Sequence, residues 1–266
     1  MPKISVLTIS ARNLYRDEQI NSLESQSFKD FEWVFVDGIY ERVMNARFPI
    51  TQIQDKGDGS HRAGQAYNKG LVHCGGELVY FLADYVLPHP DCLGRHWEIY
   101  HKYKNVMISG RSARVECTPN ELNLSIRLTE AKDYRKGIKE ERTQIEEDLF
   151  EVTPTLSMTW WSGRNDSAPL EALLACNGFE EDLDGRWGGH DGEMANRLVT
   201  YGLRYLQDMK SMCLEFYHHS AQMKAVRTAK EHLELAKNLS EGKHEKGIYT
   251  SNLKRSLRKE REEWKP

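Results

Sequence analysis

The chain has 266 residues, 39% of them hydrophobic, which suits one α/β domain with a helical appendage. No stretch approaches the roughly eighteen apolar residues that a membrane-spanning helix needs, and the N-terminus does not have the pattern of a signal peptide. The five cysteines are scattered without Cys-x-x-Cys spacing, which argues against a disulfide framework or a zinc cage and predicts a cytoplasmic location.

The formal net charge of −3 is unevenly distributed. Met223–Pro266 contains twelve Lys and Arg against seven Asp and Glu, so the tail is basic and the rest of the chain is acidic. An acidic body argues against a nucleic-acid substrate, because nucleic acid needs a basic face. The tail leaves that substrate open, as it does contact with an anionic membrane or packing on the domain. Its relevant cations are Lys254, Arg255, Arg258, Lys259 and Arg261.

Short apolar, β-branched runs recur through the first half of the chain, separated by segments long enough for helices. The runs are Ile4–Ile9, Trp33–Val36, Ile50–Ile53, Leu78–Leu82 and Val106–Ile108. Apolar residues at helical spacing predict helices over 14–23 and 63–71. The alternation predicts an α/β fold with a mixed, mostly parallel sheet flanked by helices. Ligands of such sheets bind at the carboxyl ends of the strands, here Thr8–Arg12, Asp37–Tyr40 and Ala83–Pro88.

The second half of the chain has weaker signals. Leu128–Asp148 is dense in charge and predicts a solvated helix or an excursion, and Asn165–Asn177 predicts a capped helix. Asp191–Tyr201 predicts a helix opened by a Gly-Gly turn, and amphipathic helical patterning follows from Ser220. The predicted divisions are a domain over 1–220, with halves 1–110 and 111–220, and a helical basic extension over 221–266.

Three blocks of sequence carry a resemblance to a known family. They consist of Ile4–Asn13, Leu23–Ser27 and Phe31–Gly38, then Gly64–Leu71 and Gly75–Leu82, and finally Asn177–Glu181, Trp187–Glu193 and Asn196–Leu198. They resemble the inverting GT-A glycosyltransferases, family 2-like, with a second half similar to β-1,4-galactosyltransferases and polypeptide N-acetylgalactosaminyltransferases. The resemblance implies a Rossmann-like nucleotide-diphospho-sugar transferase fold and a hexosyltransferase-like enzyme.

The resemblance implies a nucleotide-sugar donor at the strand ends. In the family an acid at the end of the second strand contacts the base, and Asp37 has that position. The competing interpretation of Asp37 is a loop acid that accepts hydrogen bonds from backbone amides. The implied donor-binding residues are Thr8, Arg12, Asp37, Arg62, Asn68 and Asp84, with Arg62 as a phosphate contact.

The metal motif departs from the family pattern. The family has Asp-x-Asp at a position where this chain reads Ala83-Asp84-Tyr85, which leaves one carboxylate for a cation. The resemblance implies Mn²⁺ or Mg²⁺ held by Asp84 with His218 or His219, and an imidazole ligand favours Mn²⁺. We expect such a cation to bind mainly when donor diphosphate completes its shell. The alternative for the histidine pair is a capping role at the end of a helix or strand.

The segment Trp187–Asp191 resembles the family's Trp-Gly-Gly-Glu-Asp, whose last acid deprotonates the acceptor, with His190 replacing the Glu. The resemblance therefore implies that Asp191 is the catalytic base. An Asp at the start of a helix also has a structural interpretation as its N-cap. The implied acceptor-binding residues are Trp160, Trp161, Asn165, Trp187, Gly189 and His190, with core packing as the alternative for the paired tryptophans.

The function implied by the resemblance is inverting transfer of a sugar from a nucleoside-diphosphate sugar, a UDP-sugar, to a hydroxyl of a glycan or lipid-linked glycan. Two alternatives stay open. One is transfer to a modified base in DNA, and the other is a nucleotide-sugar-binding protein with little turnover. The expected location is the cytoplasm, with peripheral membrane contact as a further option.

Overall fold

The computed structural model of the chain describes residues 1–39, 44–57, 61–115, 118–119, 142–153, 161–186, 188–218, 228–240 and 256–264. Its strands are β1 (Ile4–Ser10), β2 (Phe31–Asp37), β3 (Ile50–Gln54), β4 (Leu78–Phe81), β5 (Val86–Pro88), β6 (Val106–Arg114), β7 (Arg142–Glu146), β8 (Leu149–Val152), β9 (Asp166–Pro169) and β10 (Arg204–Glu215). Its helices are α1 (Arg16–Glu24), α2 (Ala63–His73), α3 (Cys92–Tyr103), α4 (Leu170–Ala175), α5 (His190–Tyr201), α6 (Ala229–Ser240) and α7 (Leu257–Trp264). All five strands predicted from apolar runs are present, and so are the helices predicted over 14–23, 63–71 and 191–201.

The described strands form one mixed sheet in the order β3-β2-β1-β4-β9-β6-β10-β8-β7, with β5 paired to β10. Parallel pairing joins β3, β2, β1 and β4, and it also joins β6 to β10. Strand β9 lies antiparallel between β4 and β6, so β4 and β6 point the same way. The carboxyl ends of β1, β2, β4, β6 and β10 therefore meet at one edge of the sheet, where ligands of such folds bind.

The core has a cluster on each side of the sheet. Successive residues of β1 face opposite sides, so Val6 packs in the cluster below α1 and α3, whereas Leu7 packs in the cluster below α2 and α5. Both faces of β1 are buried, which explains why its sequence is a continuous apolar run rather than an alternating one. Packing on both faces of the sheet therefore holds in place the strands whose carboxyl ends form the site.

The prediction of one helix over Asn165–Asn177 is wrong in its first part. Asp166–Pro169 forms strand β9, and helix α4 begins only at Leu170. Pro169 disfavours helical backbone at the residue before it, and the gap between β4 and β6 offers this segment backbone partners on both sides. Pairing with strands distant in sequence therefore overrides the local helical pattern.

Of the two expectations for Leu128–Asp148, a solvated helix or an excursion, the helix is wrong where the structure describes that segment. Arg142–Glu146 is strand β7, which forms a hairpin with β8 through Glu147 and Asp148. Strand β7 has no buried residue, so no alternation of apolar side chains marks it in the sequence. Residues 128–141 lie outside the described residues.

Two described helices follow Ser220, as predicted, and α7 packs on α2. The Leu257 amide donates to Asn177 Oδ1 at 2.9 Å, and Arg261 Nη1 donates to the Val72 carbonyl at 3.2 Å. The described part of the tail is therefore attached to the sheet-and-helix body. Among the described helices, none is both long and apolar enough to cross a bilayer.

Candidate functional site

A charged cluster lies where β1 and β4 end. Asp84 is buried and accepts hydrogen bonds from the Ser10 hydroxyl at 2.7 Å and from Arg12 Nε at 3.1 Å. The second terminal nitrogen of Arg12 reaches the other Asp84 oxygen, so the guanidinium binds the carboxylate in a bidentate fashion. Two predicted donor-binding residues, Arg12 and Asp84, are thus brought into direct contact.

Tyr85 extends this cluster toward the end of β10. The His218 ring stacks on the Tyr85 ring with centroids 3.7 Å apart, and the Arg12 guanidinium lies 5.2 Å from the Tyr85 centroid. Burial raises the pKa of Tyr85 to about 12, with Glu215, Asp84 and Asp191 adding to the rise and Arg164 opposing it. These acids and Arg164 therefore all lie within electrostatic range of one ring.

As the side chains stand, the donor set around Asp84 does not fit a divalent cation. Its single carboxylate is already neutralised by the bidentate Arg12, and a cation at this point would face the guanidinium charge. His218 Nδ1 lies 3.1 Å from the Phe216 carbonyl oxygen, and burial lowers the pKa of this imidazole. His219 lies outside the described residues. We therefore derive no catalytic step through a cation at Asp84.

Asp37 ends β2 in a buried ion pair. Its Oδ1 accepts from Arg16 Nη2 at 2.6 Å and from the Ile39 amide at 2.9 Å, and its Oδ2 accepts from Gln52 Nε2 at 2.9 Å. Arg16 and Asp37 are 1% and 0% exposed. The Nε and Nη1 groups of Arg16 have no hydrogen-bond partner among the described residues. Two buried N–H groups of Arg16 without an acceptor in the described part of the chain therefore lie at the end of β2.

Three other predicted donor-binding residues are engaged within the protein. The buried Thr8 hydroxyl accepts from the Trp33 indole at 3.0 Å, and the Arg62 side chain donates to Gln65. The Asn68 amide donates to the Phe179 carbonyl at 2.9 Å and accepts from the Phe179 amide at 2.7 Å, which ties α2 to the loop after α4. These contacts position backbone around the site, and direct contact of the three residues with a donor stays a prediction.

Asp191 lies in the first turn of α5. The N-cap of this helix is Gly189, at φ 88°, a left-handed conformation that favours glycine, so Asp191 is not the cap. The structure gives its carboxylate no hydrogen-bond partner among the described residues. Although the residue is partly exposed, burial raises the pKa of the carboxyl from 3.8 to about 6, with Asp166 raising it further and His190 and Arg164 lowering it.

Gly163 lets the loop before β9 approach this carboxylate closely. At φ 64° it has left-handed backbone, and a Cβ at this position would lie 2.8 Å from the Tyr67 hydroxyl and 3.4 Å from Asp191 Oδ1. The next residue, Arg164, donates to Glu215 Oε2 at 2.6 Å. A cation is thereby fixed beside the candidate base. No sequence motif indicated a role for Arg164, Glu215 or Tyr67, because their contacts are distant along the chain.

The predicted acceptor-binding residues have different environments. Trp161 is 1% exposed and packs against Phe81 with ring centroids 5.4 Å apart, as expected of a core residue. The buried Asn165 amide donates to the Arg111 and Ser211 carbonyls at 3.0 and 3.1 Å. Trp160 and Trp187 lie outside the described residues. An acceptor contact by Trp161 or Asn165 stays a prediction that their burial does not support.

His190 belongs to a second polar cluster next to Asp191. Its Nε2 lies 3.0 Å from Asp184 Oδ1, and its ring centroid lies 5.6 Å from that of His61. One ligand atom from each of His61, Asp184 and His190 lies within 4.8 Å of the others. Sequence reasoning missed His61 and Asp184, and the only signal was the histidine in place of the family's glutamate.

Comparisons with known proteins identify the fold. No protein-family model and no curated protein sequence matches the chain. The crystal structure of S. aureus TarS 1–349 with UDP-GlcNAc is similar, with a TM-score of 0.66 and 15% identity over 90% of this chain and 65% of that one. GalNAc-T7 with UDP, GalNAc and Mn²⁺ is similar with a TM-score of 0.63 and 10% identity over 89% of this chain and 48% of that one. The chain thus spans less than two thirds of each of these proteins, and it has their GT-A fold.

Proposed function

We propose that this chain is an inverting glycosyltransferase that moves a sugar from a UDP-sugar to an acceptor hydroxyl, with Asp191 as the general base. The observation that carries the proposal is the Asp191 carboxylate, which has no hydrogen-bond partner among the described residues and a pKa raised to about 6. A base of that pKa is ionised near neutral pH yet still binds a proton well. The UDP-sugar and UDP bound in the TarS and GalNAc-T7 structures support the choice of donor class.

In the proposed reaction Asp191 accepts the proton of the acceptor hydroxyl as its oxygen attacks the anomeric carbon of the donor. The new bond forms on the face opposite the diphosphate, so the anomeric configuration inverts. The bond between the anomeric carbon and the diphosphate oxygen breaks, and its electron pair leaves with the diphosphate. Every proton and electron pair is thus accounted for without a further reactant.

Arg12 and Arg164 are the cations that we propose to oppose the charge of the leaving diphosphate. Both stand in loops at the carboxyl edge of the sheet, Arg12 over the Tyr85 ring and Arg164 in electrostatic range of Tyr85 and of the base. Fixed positive charges at the point where negative charge develops stabilise a transition state without reorganisation. Asp84 and Glu215 hold the two guanidinium groups in place.

We propose that the base of the donor binds at the end of β2, beside Asp37 and Arg16. The unsatisfied Nε and Nη1 groups of Arg16 are costly when buried, and a polar ligand supplies acceptors for them. The observation supports a nucleotide site, while the identity of the base rests on the UDP in the similar structures.

For the acceptor, contacts of the tail favour a glycan over DNA. Arg258 pairs with Glu171, and Arg261 donates to backbone carbonyls at the end of α2. Two of the five tail cations that kept a DNA acceptor open are thus used in packing. Lys254 and Arg255 lie outside the described residues. We therefore propose a hydroxyl on a glycan or lipid-linked glycan.

A thermal-shift screen of nucleotide sugars tests the proposal. We expect one UDP-sugar to raise the Tm, because a ligand at 100 times its Kd stabilises the native state by about 2.7 kcal/mol, or roughly 5–10 °C for a chain of this size. UDP-sugar turnover with an acceptor library, followed by NMR of the product anomer, then establishes inversion. If no nucleotide sugar shifts the Tm or is turned over, the proposal is wrong.

The same screen distinguishes two ways of neutralising the donor diphosphate. One is by Arg12 and Arg164, and the other is by a metal cation at Asp84. We expect the donor-induced shift to persist in EDTA, because Arg12 already occupies the Asp84 carboxylate. A donor shift that appears only with Mn²⁺ and vanishes in Asp84→Asn would establish the cation at Asp84 instead.

The pH profile should show the titration of Asp191. A general base works when deprotonated, so kcat/KM should fall about tenfold per pH unit below pH 6, the pKa to which burial raises this carboxyl. Above pH 7, ionisation of this carboxyl should cause no further change in kcat/KM. Initial rates at saturating donor, measured over a range of acceptor concentrations and pH, give the profile.

Glu180 provides the matched control for that profile. Burial raises its pKa to about 7, but it belongs to the loop after α4, where it accepts from the Asp182 amide. The acidic limb should therefore persist in Glu180→Gln. Its disappearance in that variant would assign the titration to Glu180 and contradict the role of Asp191.

A further inference from the structure

Three side chains of metal-ligating type converge around His190, the residue before the proposed base Asp191. His61 precedes α2, Asp184 lies in the loop before α5, and His190 is the first residue of α5. One ligand atom of each lies within 4.8 Å of the others, and the separation between His190 Nε2 and Asp184 Oδ1 is 3.0 Å. Among the described residues this is the one group of three such side chains with converging ligand atoms.

Asp184 is held by backbone in the way that metal-ligating carboxylates are. Its Oδ1 accepts from the Gly64 amide at 2.8 Å and its Oδ2 accepts from the Gln65 amide at 3.0 Å. Hydrogen bonds of this outer shell orient a ligand before the metal arrives. The carboxylate is thus fixed between the N-terminus of α2 and the His190 ring, at only 8% exposure.

A hydrogen bond between His190 and Asp184 explains two of the three residues but leaves His61 unexplained. His61 Nδ1 is buried and has no hydrogen-bond partner among the described residues. A buried nitrogen without a partner is costly, and a cation in the cluster would bind the ring nitrogen of His61 that converges on the other two ligands. Burial also lowers the pKa of His61 to about 4, so this imidazole is neutral at physiological pH, the form that ligates metals.

We propose that His61, Asp184 and His190 form a binding site for a divalent transition-metal cation, separate from Asp84. Two imidazoles and one carboxylate suit Zn²⁺ or Mn²⁺ better than Mg²⁺, which prefers oxygen ligands throughout. Metal–ligand bonds of about 2.0–2.1 Å place tetrahedral ligand atoms roughly 3.3 Å apart, so the His190–Asp184 pair, at 3.0 Å, is already close to that separation. Such a cation joins the segment before α2, the loop at Asp184 and the start of α5, and thereby fixes the turn that presents Asp191.

Metal titration of the chelator-treated full chain tests the site without reference to activity. Calorimetry with Zn²⁺ alone and with Mn²⁺ alone should give one site per chain for at least one of the two metals, and the Tm should rise when that metal is added. His61→Gln and His190→Gln should each weaken binding by about 100-fold or more, because even outer-shell partners change metal affinity about 10–100-fold. Both variants retain a polar side chain of similar size, and their Tm without metal establishes that they are folded.

Two controls locate the metal. His101→Gln removes an exposed histidine from the end of α3 and should leave the affinity unchanged. Asp84→Asn should also leave it unchanged, since Asp84 is not among the converging ligands. Binding that is absent, that survives both cluster variants, or that is lost in Asp84→Asn would overturn the proposal. These outcomes are independent of donor binding and turnover, so the proposed glycosyl transfer can stand or fall separately.

Discussion

Asp191→Asn should reduce kcat/KM for sugar transfer by about 10²–10⁴-fold, the contribution typical of a general base. Asparagine keeps the shape of the side chain but cannot accept the proton of the acceptor hydroxyl. Donor affinity should stay within about twofold, because the proposed contacts to the nucleotide are made at the ends of β1, β2 and β4 instead. Single-turnover rates at saturating donor, with donor binding measured separately, check both parts.

The stability of the same variant separates catalysis from a structural role. Burial makes ionisation of Asp191 unfavourable, so removal of the charge above pH 6 should leave the Tm unchanged or raise it. A helix cap would behave in the opposite way, with a loss of about 1 kcal/mol. Asp30→Asn is the matched control, because this exposed acid lies just before β2, at the opposite edge of the sheet from the candidate site, and it should alter neither rate nor Tm. Normal turnover in Asp191→Asn would remove this residue from the mechanism.

Much of the first half of the fold could be predicted because strands β1, β2 and β4 are buried on both faces. A strand of that kind, such as β1 or β2, is a continuous apolar run, and helix α2 buries an apolar face. Strand β9 is also buried throughout, but its sequence is not an apolar run. Asp166, Ser167 and Ala168 become strand because β4 and β6 offer backbone partners, and that opportunity exists only after the chain has folded.

The site was predictable only in outline for a related reason. The position of Asp191 beside a Gly-Gly turn and the acids at strand ends could be inferred from the order of motifs. The partners could not, since Arg12 meets Asp84 across 72 residues and Arg164 meets Glu215 across 51. Such pairings decide whether a carboxylate is available to bind a metal cation or is already neutralised by an arginine. Because Asp84 is paired in this way, the metal site expected there is the least supported part of the sequence interpretation.

The buried Arg16–Asp37 pair leads to the second large effect. Asp37→Ala should lower the free energy of unfolding by about 3–5 kcal/mol, because loss of one partner leaves the Arg16 guanidinium buried without a counter-charge. The Tm should fall by roughly 10 °C or more. A raised donor KM in this variant alone would therefore have two explanations, partial unfolding and the loss of a nucleotide contact. Denaturant unfolding of wild type and variant measures the stability term directly.

A double-mutant cycle separates the two roles of Asp37. Arg16→Met in the Asp37→Ala background removes the orphaned charge, so the double variant should be more stable than the sum of the single effects predicts. Donor affinity should not recover with stability, since a nucleotide at the end of β2 loses both polar partners. We expect a raised donor KM with a smaller change in kcat, as for an interaction made equally in ground and transition states. If the double variant regains both stability and wild-type donor affinity, Asp37 serves the fold alone and the nucleotide base binds elsewhere.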